Sequence, residues 1–222
     1  MNTMAMKKLR NFDRNFFDLL KDAHVWEYSQ INDNKETQAG RKPKLYFTPA
    51  QWLLIALAAV CVVLCPKGID ANFAGYIISG LSLFAGILFS LAVSLFDKFN
   101  NVNFTQYKES VNADLYPLGA RLKNYFKKSI ILTLYTAILA IGCILMVALV
   151  YMFDGLQESV DIVSICKNWC QYNWCHLMKA GFISVFRLIL FYMLLNFIYI
   201  TKQMITSFYD YMVSEINKIK LK

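Results

Sequence analysis

The four longest apolar stretches of this 222-residue chain contain no aspartate, glutamate or histidine. That absence excludes an intramembrane carboxylate pair, a metal box and a proton relay, because each needs titratable or ligating groups within a span. Histidine is scarce everywhere: His24 and His176 are the two, far apart in sequence and outside the stretches. No Cys-x-x-Cys pair occurs among the six cysteines, so their spacing matches no zinc module. The Gly-rich phosphate loop, the Gly-x-Ser-x-Gly elbow and the spaced Arg…His arrangement of small RNA-cleaving helical domains are missing as well. The expectation is a non-enzymatic protein with no catalytic residue, no metal site and no cofactor. The first apolar run begins near residue 47, too late for the apolar core of a cleavable signal. It reads as a retained anchor.

What the chain does have is apolar length. Apolar residues make up 57% of it, and their longest runs are Phe47–Cys65, Phe73–Phe96, Ile130–Phe153 and Ala180–Ile200. A bilayer core about 30 Å thick needs roughly 20 residues of helix, with about 17–25 usable. Lipid offers a backbone amide no partner, so runs of this length cross as helices. The expected fold class is all-α: a polytopic integral membrane protein with four transmembrane helices, at about 48–66, 72–96, 129–153 and 180–201. Amphipathic N-terminal and C-terminal cytosolic helices complete it. The corresponding division is 1–46, a cytosolic helix and polar connector, 47–201, the bundle, and 202–222, a helical tail.

Charge sets the expected orientation. Nineteen of the 23 Lys and Arg residues lie in 1–46, 97–128 and 201–222, while Lys67, Lys167 and Lys179 stand on the other side. The positive-inside bias then puts both termini and the middle loop in the cytoplasm, in a cell (inner) membrane. The net charge of +8 sits beside the spans, where anionic lipid headgroups are the nearer counter-charge. No direct nucleic-acid partner is expected. Near the N-terminus, Leu9, Phe12, Phe16, Leu19, Leu20 and Ala23 repeat at helical spacing among Lys7, Lys8, Arg10, Arg14 and Lys21. This amphipathic helix suits either the membrane interface or the cytosolic ends of the bundle. Thr48-Pro49 caps the first span, and Pro66 with Gly68 ends it, leaving a tight turn to the second.

Span two carries Gly75, Ser79, Ser82, Gly86, Ser90 and Ser94 on one slowly drifting face. Small residues spaced this way let another helix backbone come close. Two readings compete: a seat for a neighbour within the same bundle, which is the commoner use, and a subunit interface or pore-lining face. Thr133, Thr136, Ala140 and Cys143 form a smaller-residue stripe on span three, a natural mate. In the cytosolic loop between them, Tyr116-Pro117-Leu118-Gly119 reads as a break.

The third loop, Asp154–Lys179, spaces Asp154, Glu158 and Asp161 helically and sets Cys166, Cys170 and Cys175 around Trp169 and Trp174. Cys61 and Cys65 end span one on the same side. A disulfide drawn from Cys166, Cys170, Cys175 and Cys65 leads free thiols, and both lead a metal site using the three loop cysteines and His176. The tryptophans suit the headgroup belt. Span four holds Arg187, about 10 Å inside Ala180 at helical rise. An intramembrane charge is a functional candidate; its expected partners are Asp154, Glu158, Asp161 or Asp70. Tyr192, Asn196 and Tyr199 form a second polar stripe on the same helix, continued by Gln203.

The block Ile78–Phe99, a serine- and glycine-striped span ending in Phe-Asp-Lys, resembles spans of small bacterial membrane proteins found with antiviral systems. Four spans with basic cytosolic segments are similar to the accessory membrane proteins encoded beside RNA-guided RNA-cleaving nucleases. The resemblance implies an oligomerising effector, a homo-oligomer that forms a pore or otherwise alters permeability on a cytosolic signal. The alternatives are an anchor or scaffold binding a cytosolic protein partner, and a small-solute or anion transporter using Arg187.

Overall fold

The computed structural model describes residues 16–23, 48–107, 116–168 and 173–218. Most of the expected N-terminal amphipathic helix, the polar connector, Lys108, Trp169, Cys170 and the last four residues lie outside the described residues. Helix α1 covers 16–23, α2 Pro49–Leu64, α3 Ala71–Asn101, α4 Tyr116–Met152, α5 Asp154–Gln157, α6 Ile162–Lys167 and α7 Trp174–Lys218. A 3-10 turn, Phe104–Tyr107, follows α3. No strand occurs among the described residues.

Three helices are long and apolar enough to cross a membrane: α3, α4 over Gly119–Met152, and α7 over Trp174–Asp210. The chain is a helical, multi-pass membrane protein. The first apolar run forms the shorter α2, 16 residues or roughly 24 Å at 1.5 Å per residue. Its start follows from the sequence: the Thr48 hydroxyl accepts the Gln51 N–H at 2.9 Å, and the Gln51 side chain accepts the Thr48 N–H at 3.0 Å. Pro49 occupies the first turn, where a missing N–H costs nothing. Gly68 turns the chain at φ +75°, and the Asp70 carboxylate receives the Asn72 N–H at 3.1 Å as α3 begins.

Two boundaries differ from the sequence expectation. Tyr116-Pro117 opens α4 rather than breaking a loop, because proline is tolerated in a first helical turn. Likewise α7 begins at Trp174, six residues before Ala180, since nothing in Trp174–Lys179 breaks a helix. The third loop is correspondingly shorter, and Asp154, Glu158 and Asp161 share no helix: α5 stops at Gln157 and Asp161 caps α6.

The fold divides into two compact units. One comprises 16–23, 88–107, 116–136 and 201–218 among the described residues. Its core sets Leu95, Leu122 and Phe126 against Leu91, Phe99, Ile130 and Phe208. The Phe99 ring lies 5.1 Å from Phe104 and 5.7 Å from Phe126, centroid to centroid. Thr133 bonds back to the Ser129 carbonyl at 2.7 Å and sits 3.4 Å from Met204 Sδ. The second unit comprises 48–87, 137–168 and 173–200. There Ala74, Val147, Val150 and Leu190 pack together, as do Leu81 and Ala85 with Ala140 and Cys143. Leu156, Val160, Ala180 and Ile183 form a third cluster. Against lipid there is little hydrophobic drive between helices, so these side chains stabilise by dispersion, with the alanines and Cys143 allowing close approach.

Candidate functional site

The periodicity of α3 separates two faces. Ala74, Leu81, Ala85, Leu88, Ala92 and Leu95 are buried, at helical spacings of 7, 4, 3, 4 and 3. Gly75, Ser79, Ser82 and Gly86 in one unit, and Ser90 and Ser94 in the other, are all exposed. At 100° per residue the small-residue face lies about 100° or more around the helix from the packed one. A Cβ placed on Gly75 or Gly86 would meet no atom within 4 Å. The Ser82 hydroxyl turns back to the Ile78 carbonyl at 2.7 Å, so no neighbouring helix is needed to satisfy it. The seat for a neighbour in the same bundle is therefore on the Ala/Leu face. The stripe on α4 does pack: Thr133, Thr136, Ala140 and Cys143 are fully buried. Ala140 and Cys143 meet Leu81 and Ala85 rather than the glycines and serines.

Arg187 is 4% exposed. Its guanidinium donates to backbone carbonyls: Nη1 to Pro66 at 2.7 Å, and Nη2 to Glu158 at 2.6 Å and Leu156 at 3.3 Å. The expected carboxylate partner is replaced by these carbonyls. The Glu158 carboxylate pairs instead with the Lys179 ammonium. The reason lies in the chain ends around it. Pro66 follows the last turn of α2, and Leu156 and Glu158 close the single turn of α5, so their carbonyls have no complete helical ladder to join. With α7 starting at Trp174, Arg187 stands 13 residues, roughly 20 Å, into its helix, and its guanidinium reaches both the α2–α3 turn and α5. Pro66 also accepts the Val160 N–H at 2.8 Å, and Tyr151 donates its hydroxyl to Ile69 at 2.7 Å. Together these bonds tie the turn, α4, α5 and α7 into one ring of contacts. A cavity of about 300 Å³ adjoins the ring, lined by Lys67, Asp70, Tyr151, Gln157, Arg187 and apolar side chains.

The remaining candidates separate. Asn196 is buried and its Oδ1 has no hydrogen-bond partner among the described residues, while Tyr192 and Tyr199 are half-buried. Cys65, Cys166 and Cys175 carry free thiols, as do Cys61 and Cys143. No group of three or more His, Cys, Asp or Glu side chains among the described residues could hold a metal ion. Asp161 serves as the cap of α6, where its carboxylate accepts the Ser164 hydroxyl at 2.6 Å and the Val163 and Ser164 amides. The Ser164 bonds hold its pKa below the usual carboxylate range. Sequence reasoning missed the carbonyl cradle, Lys67 and Tyr151; the one available signal was Pro66-Lys67-Gly68, a turn placed against the start of an arginine-bearing span. No family model, curated protein or solved structure matches this chain.

Proposed function

We propose that the chain is a non-enzymatic, four-span protein of the cell membrane that assembles with further copies of itself and alters permeability on a cytosolic signal. The observation that carries the reading is the open face of Gly75, Ser79, Ser82 and Gly86. In lipid, helices associate by backbone approach over small residues and by hydroxyl bonds. A face built for both and left open fits the same face of a second copy. Ser79 and Ser82 would then supply hydroxyls inside the assembly, with Gly75 and Gly86 permitting the close approach.

In this reading α2 is the fourth crossing. Segments 1–46 and 97–128 are both rich in Lys and Arg, and the charge bias puts both in the cytoplasm, which requires two crossings between them. A helix of roughly 24 Å spans with Phe47, its capping turn and modest local thinning of the bilayer. The similarity of this layout to accessory proteins of antiviral systems supports a cytosolic trigger.

The experiment contrasts two glycines. In mild detergent, Gly86→Leu lowers the oligomer size and vesicle dye release while leaving the melting temperature unchanged. Gly142→Leu instead destabilises the fold by about 1–3 kcal/mol: a Cβ 2.7 Å from Met193 Cε could be met by a shift of that flexible side chain, but the rest of a leucine overfills the space it occupies. A wild-type protein that is monomeric and passes neither ions nor dye, even with its cytosolic partner, returns the chain to the anchor or scaffold reading.

A further inference from the structure

The cavity beside Arg187 has a charge pattern that packing does not use. A carbonyl oxygen satisfies an N–H but carries no net charge, so the cradle of Pro66, Leu156 and Glu158 leaves the arginine's unit positive charge uncancelled. Uncancelled charge in a poorly solvated place is costly, and an anion brought beside it is favoured. Three acceptors engage three of the five N–H groups that a guanidinium carries. Lys67, exposed on the α2–α3 turn, adds a second positive charge to the same cavity. Asp70 supplies one carboxylate there, already occupied in accepting the Asn72 N–H. The lining is therefore net positive. Gln157 and Tyr151 add uncharged polar groups, and the rest of the wall is mostly apolar, with Val147, Leu190 and Phe191. At about 300 Å³ the cavity stands at the lower end of the small-ligand range, about 300–1,000 Å³.

We infer that this cavity is a binding site for a phosphate group, held by Arg187 and Lys67, from an anionic phospholipid headgroup or from a free phosphate anion. Guanidinium and ammonium groups bond phosphate oxygens through charge-assisted hydrogen bonds. The apolar wall meets the glycerol and first acyl carbons when the source is a lipid. Occupancy would bridge the α2–α3 turn to α7 and neutralise the buried charge. The site is independent of the self-assembly reading, since none of the residues lining it belongs to the open glycine and serine face of α3.

The full-length protein in neutral detergent provides the test, with the melting temperature followed during titration with inorganic phosphate. A parallel series compares phosphatidylglycerol with phosphatidylcholine nanodiscs. The midpoint rises with phosphate, with phosphatidylglycerol, or with both, and which probe acts identifies the source. Lys67→Gln weakens the apparent affinity about fivefold, the order expected for one exposed charge. Asp70→Asn keeps an acceptor for Asn72 and tightens it by a similar factor. A gain in affinity is an outcome that a damaged fold does not produce, so the pair of variants separates binding from folding. No response to either probe, or responses that both variants leave unchanged, overturns the site.

Discussion

Gly68 leaves open the space that the Arg187 guanidinium fills: a Cβ on Gly68 would stand 3.2 Å from Nε and 3.3 Å from Cζ and Nη2 of Arg187. The same residue sits at φ +75°, a region that costs side-chain-bearing residues about 1–3 kcal/mol. Steric and conformational demands thus coincide on one position of the α2–α3 turn.

Gly68→Ala therefore lowers stability by about 1–3 kcal/mol, the strain figure, with any displacement of the guanidinium adding to it. Thermal unfolding in detergent measures the loss. An alanine variant that melts with the wild type would mean that the turn and Arg187 relax together at little cost.

Arg187→Met keeps the length and apolar stem of the side chain and removes the donors. The Leu156 and Glu158 carbonyls lose this donor, whereas Pro66 still accepts from Val160. Leaving a buried acceptor unpaired costs about 1–3 kcal/mol; the Leu156 carbonyl is buried and that of Glu158 only partly so, and the variant loses roughly 1–4 kcal/mol overall. Protease sensitivity rises first around α5, where two of the three acceptors lie. Protection of α5 equal to that of the wild type would show that Arg187 does not hold this loop.

These two residues also mark where the sequence stops being informative. Length, apolarity and the scarcity of charge make the spans of α3, α4 and α7 legible, and Thr48-Pro49 announces the start of α2 through its cap. The partner of Arg187 is not legible, because its acceptors are backbone carbonyls released by helix ends, and such groups carry no sequence signature. The packed face of α3 is equally hidden. Its Gly/Ser and Ala/Leu stripes have the same period, and lipid tolerates either one facing outward. Fit decides: Leu81 and Ala85 interlock with Ala140 and Cys143, and the glycines and serines are left over.

The cap of α6 makes a pH prediction. The Ser164 hydroxyl and the Ser164 and Val163 amides favour the ionised Asp161, so its pKa in the folded loop is depressed. A depressed carboxylate contributes stability that is present above its unfolded pKa and is lost as pH falls through the folded value. Hydrogen exchange at the Ile165 and Asn168 amides, which bond back to Asp161 and Ser164, accelerates relative to the intrinsic rate as the solution is acidified. Asp161→Asn retains a cap but removes the titration, so its exchange ratio stays flat over the same range. A wild-type ratio that is also flat would show that the cap does not depend on charge.

Asn196 supplies the opposite kind of test, one in which removing a polar group strengthens the fold. It is 3% exposed on α7 and its Oδ1 has no partner among the described residues. A buried acceptor without a hydrogen bond costs about 1–3 kcal/mol, and lipid offers no water to relieve it. Leucine has a similar volume and no polar atom, so Asn196→Leu raises the stability of the detergent-solubilised monomer by up to about that amount. Thermal unfolding at protein concentrations below self-association isolates the monomer term. A destabilised Asn196→Leu would mean that Oδ1 is satisfied in the working protein. If that loss appears only at concentrations where the protein is oligomeric, the missing donor belongs to a second copy. If it appears in the monomer, the donor is a bound water, and the unpaired acceptor is not a property of this fold.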